Sequence, residues 1–165
     1  LLEWMMGDVE SVMVMINTSL VDIECEDTGV ALLKFSNGAL GVIEATTATR
    51  PKDIEGSLSI MGEKGVVEIG GFAVNKIKTW QFEGSDETPE NLVDFNQNPT
   101  NVYGFGHIKY LQNVVDSIIN NKHALVDGVE GRKSLELISA LYESAETRKE
   151  VFLRYKHTKY RLGER

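Results

Sequence analysis

The segment Glu26–Pro51, EDTGVALLKFSNGALGVIEATTATRP, constrains this chain more than any other, because Asn37-Gly38 stands between two apolar runs. Asn and Gly best tolerate the φ > 0 that both central positions of a two-residue type I′ turn require. Asp27–Ser36 and Ala39–Thr47 are therefore expected to fold back as an antiparallel hairpin. Ser36 would lie opposite Ala39, Phe35 opposite Leu40, Leu33 opposite Val42, Leu32 opposite Ile43 and Val30 opposite Ala45. Side chains alternate along a strand, so the Phe35 and Leu33 pairs take one face and the Leu32 and Val30 pairs the other. Both faces are then apolar, and the hairpin belongs inside a covered sheet. Its polar far end, from Glu44 to Lys52, is where chemistry is expected.

The remaining segments fit around this hairpin. Leu1–Met6 has helical spacing, no N-cap and Gly7 behind it, so it reads as the end of a helix begun before residue 1, in a chain that has been cut. Ser11–Ser19 is expected to be a fully covered strand. Gly56–Met61 and Gly65–Ile69 read as short strands around Gly62-Glu63-Lys64-Gly65, the glycines taking the turn's unusual backbone angles. Val74–Phe82 alternates like an edge strand. Glu83–Thr100, acidic and carrying Pro89 and Pro99, is either a functional loop or a plain mobile insertion. From Phe105 the period turns helical, with Phe105, Ile108, Leu111, Val115, Ile118 and Ile119 in one stripe. A second helix, N-capped by Asp127, is expected to bury Leu135, Ile138, Leu141, Tyr142 and Ala145, and VFLRY to add a last edge strand. Strands followed by helices imply an α+β domain over residues 1–165: an open, mostly antiparallel β-sheet with helices packed on one face. Two helices cover one side only. The other apolar face would exceed the few hundred Å² that soluble monomers tolerate, so a homodimer or homotetramer through the open sheet face is expected.

Several functions are disfavoured. A net charge of −8 argues against nucleic acid, which demands a clustered basic surface. No apolar run approaches the roughly 20 residues that span a bilayer, and LLEWMMGDVE lacks a signal peptide's basic start, so a cytoplasmic protein with no membrane partner is expected. Cys25 is the single cysteine, which excludes an internal disulfide and a Cys-rich zinc site; Glu24 and Glu26 beside it disfavour its thiolate. His107, His123 and His157 are too scattered to hold a metal. No glycine-rich turn opens a helix as a phosphate cradle would, and there is no nucleophile triad. What is left is positional. Arg50 and Lys52 follow a strand end and flank Pro51, an arrangement that suits a carboxylate or diphosphate, or else a solvated turn. Tyr103 and His107 stand at a helix start, where backbone N–H groups favour anions; capping and packing is the other reading.

The run GVALLKFSNGALGVIEATT, followed by GSLSIMGEKGVVEI and then VDGVEGRKSLELISALYESAETRKEVFL, closely resembles the C-terminal domain of the Gfo/Idh/MocA oxidoreductases over nearly the whole chain. LRYKHTKYRLG, the Arg50-Pro51-Lys52 corner and the Gly106-His107 helix start look most like the branch acting on UDP-N-acetylglucosaminuronic acid at the sugar C3. The resemblance implies a parent protein in which an N-terminal Rossmann domain holds NAD or NADP, and the C-terminal domain supplies the substrate side and the oligomer contacts. Hydride would pass from a sugar carbon to the nicotinamide. The active-site lysine, and the His and Asp of the helix that ends at Leu1–Gly7, would fall before residue 1. Within this chain, then, no catalytic residue, no bound cofactor and no activity are expected, and a sugar or nucleotide-sugar partner is expected at Arg50, Lys52, Tyr103 and His107. The alternative is a stand-alone, non-catalytic sugar-binding or assembly module of the same fold.

Overall fold

The structure is a computed structural model and describes residues 1–52, 56–71, 73–91, 99 and 104–153. The chain forms two compact units, one of residues 1–51 with 126–165, the other of residues 52–125. The first holds α1 (Leu2–Met6), β1 (Val9–Asn17), β2 (Thr28–Phe35), β3 (Leu40–Thr46), α3 (Gly128–Thr147) and β7 (Val151–Phe152). Its sheet runs β3-β2-β1-β7, antiparallel throughout. The second holds β4 (Leu58–Gly62), β5 (Gly65–Gly70), β6 (Lys76–Phe82) and α2 (Gly106–Ile119), with an antiparallel sheet β4-β5-β6. Open antiparallel sheets with helices make the chain α+β.

The hairpin forms, in a register one residue away from the expected one. Lys34 pairs with Leu40, Leu33 with Gly41, Leu32 with Val42 and Ala31 with Ile43. The cause is the turn. Phe35 N–H donates to Ala39 O at 2.9 Å, Gly38 N–H donates to Phe35 O at 2.9 Å, and Gly38 alone takes a positive φ, 89°. Ser36-Asn37-Gly38 is thus a three-residue loop, a type I turn closed by one left-handed glycine. A one-residue slip exchanges which side chains share a face. Phe35, Leu33, Ala31 and Ile43 therefore look toward the helices, while Leu32, Val30, Leu40 and Val42 share the opposite face with Met13 and Met15.

The core lies on the helix side: Val9, Val12, Ala31, Leu33 and Phe35 meet Leu137 and Ala140 of α3, with Leu2 and Met6 of α1 packed against them. α1 ends at Gly7, φ 86°, as its sequence indicates. Asp127 caps α3, its Oδ1 accepting from the N–H groups of Val129 and Glu130 at 2.9 and 3.0 Å. The face α3 buries is turned from the expected one. Leu137, Ala140 and Ser144 are buried and Leu135 is 65% exposed, because the small Ala140 and Ser144 let the helix approach the sheet closely. The fully buried Ser144 hydroxyl donates to Lys149 O at 2.7 Å and accepts from Val14 N–H at 3.1 Å, beyond the two-residue β7.

In the second unit, Glu63-Lys64 link Gly62 and Gly65, which pair directly. Neither glycine has a positive φ. The requirement at Gly65 is steric: a Cβ there would lie 2.4 Å from Phe82 Cδ1 and 2.6 Å from Gln81 O. The apolar stripe of α2 is exposed, with Ile108 at 78% and Ile118 at 74%, and Ser117 is its buried residue.

Candidate functional site

The far end of the hairpin is built by hydroxyls and main chain. Where β2 and β3 part, Thr28 Oγ1 and Thr46 Oγ1 share a hydrogen bond of 3.0 Å, and Ala48 N–H donates to Thr46 Oγ1 at 3.0 Å. Such local side-chain bonds turn the backbone out of the ladder. The corner 47–50 follows. There Arg50 Nη1 donates to Thr49 O at 2.8 Å and to Thr47 O at 3.4 Å. These bonds engage Nη1 alone, so Nε and Nη2 of the exposed side chain stay available as donors, the planar fork that suits carboxylate and phosphate oxygens. The Arg50–Pro51 peptide is cis.

Of the other expected contacts, Lys52 is exposed and belongs to the second unit, and His107 is exposed in the first turn of α2, whose N-cap Phe105 makes no side-chain capping bond. Tyr103 lies outside the described residues.

Beside the Arg50 corner lies a more tightly organised element that the sequence did not bring forward. Asp27, 2% exposed, accepts with Oδ2 from the N–H groups of Ser19, Leu20 and Val21 at 3.0, 2.7 and 3.0 Å. Those bonds, Leu20 and Val21 foremost, pull its carboxyl down from 3.8 to about 2. Tyr142 of α3 donates its hydroxyl to Glu26 Oε1 at 2.7 Å, and that bond, aided by burial and the charge of Glu26, pushes the phenol up to about 12. Between α3 and the strands of this unit lies a cleft of about 420 Å³, walled by Val14, Ala31, Ile43, Ile138 and Leu141, with Glu26 and Tyr142 in its lining. The lining holds no cation, so it suits an apolar body rather than a phosphate. Among the described residues no three His, Cys, Asp or Glu side chains gather as a metal site, and no helix is long and apolar enough to cross a membrane.

Every strand pairing among the described residues is antiparallel. A Rossmann dinucleotide fold is built differently, on parallel βαβ units with a glycine-rich turn opening a helix. The chain defines instead an α+β domain that presents a sheet and a cationic corner. It belongs to the Gfo/Idh/MocA oxidoreductase family, whose C-terminal alpha/beta domain it matches over residues 1–153. Among solved structures it is similar to the WlbA dehydrogenase from Bordetella pertussis in complex with NADH and UDP-GlcNAcA, at 41% identity and a TM-score of 0.82, covering 94% of this chain and 45% of that one. The WlbA dehydrogenase from Chromobacterium violaceum, also in complex with NADH and UDP-GlcNAcA, gives 41% identity and a TM-score of 0.83, covering 94% and 43%. A levoglucosan dehydrogenase in complex with NADH and L-sorbose shares the fold at 16% identity and a TM-score of 0.69, over 93% of this chain and 47% of that one. The chain thus spans less than half the length of these structures. No curated protein sequence matches it.

Proposed function

We propose that this chain is the substrate-binding and oligomerisation domain of an NAD-dependent oxidoreductase that moves a hydride between a nucleotide-sugar carbon and nicotinamide. The observation that carries the reading is 41% identity, along 94% of the chain, to two dehydrogenases each bound to NADH and UDP-GlcNAcA. In this reading the cofactor and the catalytic lysine, histidine and aspartate belong to a part of the polypeptide outside residues 1–165, and the chain alone binds neither NAD nor NADP and turns nothing over. Arg50 is a contact to a carboxylate or diphosphate of the substrate through Nε and Nη2. The open face of the first sheet, on which Met15 is 79%, Leu40 79% and Val42 58% exposed, pairs with its copy in a homodimer or homotetramer.

The test is Arg50→Ala in the complete oxidoreductase. Loss of charge-assisted hydrogen bonds should weaken UDP-GlcNAcA binding by roughly 1.5–3 kcal/mol, with the fold intact. An unchanged Michaelis constant would return Arg50 to a solvated turn. Should the complete polypeptide bind the sugar without reducing NAD, the domain is a non-catalytic sugar-binding module, a reading its partial span of the dehydrogenases also permits.

A further inference from the structure

The Arg50 corner hangs from the main chain of Asp27. Thr47 N–H donates to Asp27 O at 2.8 Å, and on the other side Asp27 N–H donates to Asn17 O at 3.0 Å, so Asp27 joins the ends of all three long strands. Thr47 in turn receives Arg50 Nη1 through its own carbonyl, at 3.4 Å. What keeps Asp27 in place is its side chain. The carboxylate gathers the N–H groups of Ser19, Leu20 and Val21, three donors that no strand partner takes up, and so closes the ten-residue connection 18–27 onto its own start. Thr18 Oγ1 ties the same connection to Cys25 O at 2.7 Å, and Tyr142 pins its end to α3 through Glu26. A buried carboxylate ringed by backbone donors is bound by charge-assisted bonds, stronger than neutral ones. Its loss leaves three donors without an acceptor at the root of the corner.

We propose that Asp27 is the positioning residue of the Arg50 corner: by closing the β1–β2 connection it fixes the main chain at Thr47, and through it the direction in which Arg50 offers its guanidinium to an anionic group of the nucleotide sugar. The inference rests on the substrate reading of Arg50 given above and extends it to a residue that touches no substrate. The length places one oxygen within 2.7–3.0 Å of three successive N–H groups, and the negative charge of the carboxylate strengthens all three bonds beyond what a neutral acceptor gives.

The experiment compares the 165-residue chain with its Asp27→Asn, Arg50→Ala and doubly substituted variants, each ¹⁵N-labelled and titrated with UDP-GlcNAcA. Leu20→Pro is made in parallel. It deletes the shortest of the three donors and leaves the carboxylate, and it stands in if Asp27→Asn does not fold. Without ligand, Asp27→Asn or Leu20→Pro should raise the mobility of the amides of residues 47–50 and of Arg50 Nε–H. With ligand, either should weaken binding by about tenfold, the low end of what a lost charge-assisted hydrogen bond costs. The double variant should bind no more weakly than Arg50→Ala alone. Folded variants that melt at lower temperature but keep wild-type mobility at 47–50 would overturn the proposal, leaving Asp27 a purely structural anchor. If Arg50→Ala leaves affinity unchanged, the substrate reading of the corner fails, and the ligand-free mobility still decides the role of Asp27.

Discussion

Gly41 is the position at which the observed hairpin register can be weighed against its alternative by sign alone. It pairs with Leu33 on the helix side, and its φ is not positive, so its backbone accepts alanine. A Cβ there would lie 3.0 Å from Phe35 Cε2, 3.6 Å from Phe35 Cζ and 3.7 Å from Leu33 Cβ. The Phe35 ring is 0% exposed and must give way by a few tenths of an ångström inside a packed core. Overpacking of this kind costs about 1–3 kcal/mol, while removing a glycine from the unfolded chain returns about 0.4–1 kcal/mol, so Gly41→Ala should destabilise by about 0.5–2 kcal/mol. In a Phe35→Leu background the clash is gone and the same substitution should stabilise by about 0.4–1 kcal/mol. Urea unfolding at constant m reads both values. Had the turn been the two-residue one, Gly41 would stand opposite Lys34 on the exposed face, and alanine would stabilise in either background. A raised urea midpoint for Gly41→Ala in the otherwise wild-type chain would refute the register argument.

Three further outcomes follow from the same geometry. Val14→Asp places a charge on the helix side of β1 and should abolish folding, whereas Leu32→Asp, on the open face, should keep circular dichroism unchanged and convert the proposed oligomer to a monomer in light scattering; a wild-type chain already monomeric at tens of micromolar contradicts the interface. The Asp27 carboxyl, held at about 2 against 3.8 unfolded, contributes stability that is present above pH 3.8 and lost as pH falls through 2, so Asp27→Asn should flatten the acid limb of the stability curve. Tyr142, pushed up to about 12, contributes stability present below pH 10 and lost as pH rises through 12; its ultraviolet ionisation should trail the other tyrosines, and Glu26→Gln should bring it back toward them.

Much of this architecture is written locally in the sequence. Gly7 and Asp127 each act within a few residues, and each appears where its chemistry indicates. The errors arise where distant segments decide. Ser36-Asn37-Gly38 contains both a two-residue and a three-residue turn, and only packing of Phe35 and Ile43 toward the helices selects between them. Gly65 reads as a turn residue, yet its reason is Phe82 on a strand seventeen positions later. The face buried by α3 depends on how closely Ala140 and Ser144 let it approach. At the candidate site, Arg50 is legible as a cation after a strand end. The Asp27 cradle is not, because three donors and one carboxylate are joined across a connection that has no periodicity. An aspartate directly before a strand, closing a long connection back to its neighbour, was the available signal.

This domain is proposed to serve hydride transfer from a nucleotide sugar. The measurement that bears on it most directly is NADH absorbance when NAD and UDP-GlcNAcA are mixed with the complete polypeptide that carries residues 1–165. NADH formation is expected to depend on the sugar nucleotide, to be reduced by Arg50→Ala, and to be absent when the 165-residue chain is assayed alone. No NADH from the complete polypeptide, or turnover by the isolated chain, would contradict the proposal.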